Sequence, residues 1–120
     1  MDFGLTQDQE MLARSAREFL EQESSTAVIR RIIEDPHAFS PELFRKVVEQ
    51  GWTGLLVPEE YGGLGLTMLD AAVLLTELGR ALTPVPILSS AVLATSLLCS
   101  AASTAQKKEW LPRLASGEVL

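Results

Sequence analysis

Apolar and polar positions alternate at helical spacing from the start of the chain. Leu12, Ala16, Phe19 and Leu20 share one side of a helix, while Glu10, Arg14, Arg17 and Glu21 fill the other. Thr6 with Gln9 has the form of a capping box, so a first helix is predicted from Thr6 to about Glu23, where Ser24-Ser25 weakens it. A short second stretch covers residues 27–33 and stops before Asp35-Pro36. Ser40-Pro41-Glu42 opens a third helix: serine caps, proline loses nothing at the first helical position, and the carboxylate faces the positive end of the dipole. Leu43, Phe44, Val47 and Val48 form its stripe, and Gly51 its stop. Thr67 with Asp70 caps the next helix, whose apolar face is expected to hold Leu69, Val73, Leu74 and Leu78 before Gly79-Arg80.

Pro84 and Pro86 then break the chain ahead of an uncharged helix expected over residues 87–102. A last helix starts at Thr104, with Trp110, Leu111 and Leu114 turned inward, and finishes at Ser116-Gly117. No repeat or βαβ alternation occurs. Leu55-Leu56-Val57 could form a strand, but a single strand has nothing to pair with. The pattern predicts an all-α fold: an up-and-down helical bundle of about five helices with a long Gly-rich loop.

Composition narrows the function. The 120 residues allow one domain, and 47% hydrophobic content with 6% aromatics points to a core of Leu, Val, Ile and Ala. A net charge of -6, with basic residues scattered among acidic ones, argues against nucleic acid as a partner. Cys99 is the sole cysteine, so no intrachain disulfide is possible, which fits a reducing cytoplasm. Asp2 leads straight into a polar helix, with no signal-peptide pattern. No charge occurs between Arg80 and Lys107, a span long enough to cross a bilayer. Its density of Ser and Thr, and the absence of flanking aromatic or basic belts, read instead as the central helix of a soluble bundle.

The loop from Gly51 to Leu66 carries the most specific signal. Gly62, Gly63 and Gly65 permit φ > 0 and close backbone approach, and Pro58 fixes the entry to Glu59-Glu60. The loop lacks the Lys-Ser/Thr of a phosphate-binding loop, and no strand-turn-helix context surrounds it. Glu59 and Glu60 read as solvated loop carboxylates rather than an acid–base pair. His37 has no Cys or His companion for a metal. Arg80 is expected to support its helix end or an interdomain contact, and Trp52 and Trp110 to anchor a core or an interface.

Val57-Pro58-Glu59-Glu60-Tyr61-Gly62-Gly63-Leu64-Gly65-Leu66, then Glu77-Leu78-Gly79-Arg80, then residues 106–117 from Gln106 to Gly117, resemble in order and spacing the N-terminal helical domain of the acyl-CoA dehydrogenase family. Pro84-Val85-Pro86 and its surroundings are most similar to the actinobacterial branch, some members of which act on sterol-derived CoA thioesters as heteromers. The resemblance assigns residues 1–120 to that domain and implies that the β domain and the C-terminal helical domain are absent. In the family a Glu of the C-terminal domain removes the α-proton of an acyl-CoA, and the β-hydrogen leaves as hydride to FAD, giving trans-2-enoyl-CoA. The resemblance therefore implies no catalytic, metal or cofactor-binding residue here, with FAD held mainly by the missing domains. It implies acyl-CoA as substrate, homo- or hetero-oligomers of acyl-CoA dehydrogenase subunits, and an electron-transfer flavoprotein as acceptor. By position in the family pattern, Ile87, Ser90 and Ala94 are the candidates for one wall of the acyl cavity; packing within the bundle is the alternative for them. Ser90 departs from an acidic residue found there in some fatty-acyl members. The ending Glu118-Val119-Leu120 reads as a point where the family continues into the β domain. The alternatives are a stand-alone, non-catalytic helical module and the pairing subunit of a heteromeric dehydrogenase.

Overall fold

The computed structural model describes residues 3–120. Every regular element among them is helical: six α-helices, two 3₁₀ turns and a π-helical stretch. The short second stretch of the sequence is a properly capped helix, and this brings the count above five. The chain divides into two compact units, residues 1–39 with 72–84, and residues 40–71 with 85–120.

The first unit contains α1 (Gln7–Glu23), α2 (Thr26–Glu34) and most of α4 (Met68–Arg80). The capping box at α1 closes as expected: the Gln9 amide donates to Thr6 Oγ1 at 3.2 Å and the Thr6 amide to Gln9 Oε1 at 3.1 Å. Ser25 caps α2 by accepting from the Val28 amide at 3.4 Å. Ala16 and Leu20 of α1, Ile29 and Ile32 of α2, and Leu74 and Leu78 of α4 supply the buried apolar residues. Thr67 and Asp70 exchange backbone and side-chain hydrogen bonds at the start of α4, as the sequence predicts. Leu69 departs from its expected place: it is 72% exposed, because the buried face of α4 runs through Ala71, Leu74 and Leu78 instead.

The second unit begins with α3 (Pro41–Glu49), whose Ser40 cap accepts from the Leu43 amide at 3.2 Å. Gly51 ends this helix with φ 79°, the left-handed region that glycine enters without a side-chain penalty. The 3₁₀ turns Trp52–Gly54 and Glu59–Tyr61 follow, and Leu55-Leu56-Val57 lies between them as irregular chain rather than a strand. The π-helical stretch Ile87–Ala94 runs directly into α5 (Thr95–Ala101), and α6 (Thr104–Ala115) completes the unit behind a Ser103/Gln106 capping box. The first 3₁₀ turn packs against α3, α6 and the π-helical stretch. Their buried residues include Leu43, Phe44, Val47, Trp52, Ile87, Val92, Leu111 and Leu114, and Val57 of the following loop is buried as well. Trp110 was expected inside and lies outside, 38% exposed, with the Arg113 guanidinium 4.8 Å from its ring centre. Leu111 and Leu114 already fill the inward face of α6, so the indole is left at its edge. Among the described residues no helix is long and apolar enough to cross a membrane.

Candidate functional site

Three features carry the chemistry-bearing residues, each lying within a single unit. The first is the Gly-rich loop. Its amides are consumed by its own carbonyls: Gly63 to Pro58 at 3.3 Å, Leu64 to Gly54 at 2.9 Å, Gly65 to Val57 at 2.9 Å and Leu66 to Leu55 at 2.9 Å. A β-carbon on Gly63 would overlap the Val57 carbonyl, so glycine is required there by the approach of the loop to itself, not by a ligand. Those four N–H groups are spent within the loop and are not free to cradle a phosphate. Glu59 and Glu60 are both exposed at the loop surface.

The second feature was missed by sequence reasoning. Glu77 is 4% exposed and receives two hydrogen bonds from Arg17, Nη2 to Oε1 at 2.8 Å and Nε to Oε2 at 3.1 Å, and a third from Arg80 Nε at 3.0 Å. The fork-on-fork hydrogen bonds from Arg17 hold the Glu77 carboxyl below its usual range; burial opposes them, and Arg80 adds to them. Arg17 is raised in return, by its hydrogen bonds to Glu77. Arg80 also lies 3.9 Å from Glu21, so its role within this unit is to bind helices together. The sequence did hold a signal, because Glu77 sits in the apolar stripe of α4 between Leu74 and Leu78. A carboxylate on a buried stripe requires a cationic partner.

The third feature is the helix of the predicted acyl wall. Ile87 and Ser90 are buried at 2% and 7% exposure, and Ala94 is half-buried. An α-helix would place residues 87, 90 and 94 on one face. The i→i+5 pattern of Ile87–Ala94 widens the turn and rotates Ala94 away from Ile87. The opposite face is apolar and open: Leu88, Leu93 and Leu97 are 53%, 60% and 66% exposed, spaced by five residues in the π-helical register and by four in the α-helical one. Thr95 is fully buried where the registers meet, its Oγ1 3.4 Å from the Ser90 carbonyl oxygen.

Among the described residues no group of three His, Cys, Asp or Glu side chains could hold a metal. The His37 side chain is exposed, and its backbone amide donates to Asp35 Oδ1 at 2.8 Å.

Residues 6–118 match the family model of the acyl-CoA dehydrogenase N-terminal domain. The chain belongs to this family. Curated relatives of this acyl-CoA dehydrogenase N-terminal domain include acryloyl-CoA reductase (NADH) of Anaerotignum propionicum, 36% identical over 118 residues, which make up 98% of this chain and 29% of the relative. Another is the acyl-CoA dehydrogenase IpdE2 of Mycolicibacterium smegmatis, 36% identical over 95 residues, 78% of this chain and 30% of the relative. Among solved structures, a chain of the ChsE4-ChsE5 complex from Mycobacterium tuberculosis superposes with a TM-score of 0.80 at 28% identity, covering 100% of this chain and 30% of that one. The domain thus spans under a third of the length of the proteins it resembles.

Proposed function

We propose that this domain serves a flavin-dependent acyl-CoA dehydrogenase that oxidises acyl-CoA thioesters to trans-2-enoyl-CoA. Its part is to supply one wall of the acyl cavity and the faces on which the rest of the enzyme packs. The observation that carries this reading is the uncharged helix after Pro86. One face of it is buried in its own unit, while Leu88, Leu93 and Leu97 lie open to solvent. An apolar stripe of that length on a small domain calls for a cover. Ile87, Ser90 and Ala94 are the proposed wall residues, and half-buried Ala94 is the one with surface to offer an acyl chain.

FAD supplies the hydride acceptor when bound in the complete enzyme; the residues of this chain hold no flavin and perform no proton transfer in this reading. The cytoplasm is the proposed compartment, on the strength of a lone free cysteine. An electron-transfer flavoprotein is the proposed acceptor. Leu64, Leu66, Met68 and Leu69 are each exposed and offer further apolar surface for a protein partner.

Absorbance and turnover test the reading. The purified chain should be colourless, bind no FAD, and reduce no acceptor when given an acyl-CoA. Adding the flavin-loaded remainder of an acyl-CoA dehydrogenase should restore turnover, and Ala94→Trp should then shift preference toward shorter acyl chains. A chain that binds FAD and turns over by itself would refute the division of labour. Failure of every such remainder to respond would favour a non-catalytic helical module.

A further inference from the structure

The first compact unit carries a groove of about 600 Å³ that the proposed dehydrogenase role does not use. Leu20 and Ile29 are buried in its floor, and Ile33 and Leu82 stand on its lips at 63% and 74% exposure. Glu21, Arg30 and Arg80 also line it. The volume falls within the roughly 300–1,000 Å³ typical of small-molecule sites.

Leu82 is anomalous on two counts. It follows α4 with φ 52°, its amide donating to the Gly79 carbonyl at 3.1 Å while the Thr83 amide donates to Leu78 at 3.1 Å. This is the helix-ending arrangement that glycine adopts freely, whereas a leucine there carries a side-chain clash with the backbone. The strained side chain then gains no core packing but sits on the groove lip. Strain retained without a packing return marks a functional constraint.

Charge defines what the groove accepts. Thr26, Ile29, Arg30 and Ile33 share one face of α2. Arg80 is matched by Glu77 and lies near Glu21, but Arg30 has no ion-pair partner among the described residues. On a chain of net charge -6, Arg30 is the uncompensated cation beside an apolar trough. We infer that this groove binds an amphiphile with one anionic head and a single aliphatic chain. The head pairs with Arg30, and the chain lies across Ile29, Ile33 and Leu82.

The test titrates the isotopically labelled 120-residue chain with octanoate and, separately, with octanol, following backbone amide resonances. Saturable shifts are expected at residues 20–33 and 80–82. Arg30→Glu should weaken octanoate about tenfold and leave octanol unchanged. Leu82→Gly should raise the unfolding midpoint, because the backbone strain is relieved, yet weaken both ligands. That opposition separates loss of a lip from loss of the fold. Shifts confined to residues 64–69 or 88–97, octanoate binding indifferent to Arg30→Glu, full binding by Leu82→Gly, or no saturable binding would each overturn the inference.

Discussion

Replacing Gly63 with alanine tests whether the Gly-rich loop is held shut by its own backbone. The new β-carbon would meet the carbonyl oxygen, carbonyl carbon and β-carbon of Val57. Val57 is fully buried, so no flexible group can step aside. Relief requires the loop to open, at the expense of the Gly63–Pro58 and Gly65–Val57 hydrogen bonds of 3.3 and 2.9 Å. Two bonds at about 1 kcal/mol each, with about 1–3 kcal/mol of overpacking strain, predict a loss of about 3–5 kcal/mol. That is a large share of the roughly 5–15 kcal/mol that stabilises a domain. Gly51→Ala should cost only about 1–2 kcal/mol: its φ is 79°, but the added methyl meets Leu64 Cδ1 at 3.3 Å, and Leu64 is exposed enough to rotate. Gly79→Ala has nothing within 4 Å and lies inside α4, so it should stabilise by about 0.5–1 kcal/mol. Urea unfolding followed by circular dichroism and by tryptophan fluorescence measures all three. Trp52 and Trp110 both lie in the second unit, so fluorescence reports on the unit containing the loop. A Gly63→Ala midpoint within about 0.5 kcal/mol of the parent would refute the closed-loop reasoning.

Glu77→Gln should lower stability by about 1–2 kcal/mol at neutral pH, since two half-exposed arginines lose their carboxylate. Because folding lowers the Glu77 pKa, this stabilisation is present above the unfolded value and vanishes as pH falls through the folded one. Parent and variant unfolding curves should therefore converge on the acid side, and a gap independent of pH would count against the ion cluster. Thr53→Val removes the 2.8 Å hydrogen bond from a buried hydroxyl to the Ala115 carbonyl and should cost about 1–2 kcal/mol by the same unfolding assay. Leu111→Ala, at a fully buried position, should cost about 2–5 kcal/mol, whereas Leu69→Ala should stay within about 0.5 kcal/mol. Equal effects at the two leucines would mean that the buried face of one helix is misassigned.

Much of this domain was legible along the chain because its determinants are local. The helix starts read at Thr6, Ser40 and Thr67 follow from side-chain oxygens reaching amides three residues on, a geometry independent of tertiary context; the same geometry at Ser25 and Ser103 was not read from the sequence. The break at Gly51 follows from the one residue type that enters φ > 0 freely. The family motif was readable for a similar reason: Gly63 and Val57 are near neighbours in sequence, and their contact constrains both.

What the sequence left undecided depends on partners far along the chain. Leu69 and Leu74 are equally apolar, and only packing decides that one is 72% and the other 1% exposed. Glu77 became a buried ion-cluster centre because Arg17, sixty residues away, reaches it from α1. The π-helical register of Ile87–Ala94 is invisible in composition, since Leu, Ser, Ala and Val fit either winding. That register separates Ala94 from Ile87 and lines up Leu88 with Leu93 on an open face. Local chemistry fixed where the helices begin and end, because capping is a short-range interaction. Tertiary structure decided which face of each helix is buried and which carboxylate is paired, because burial and ion pairing join residues that the sequence keeps apart.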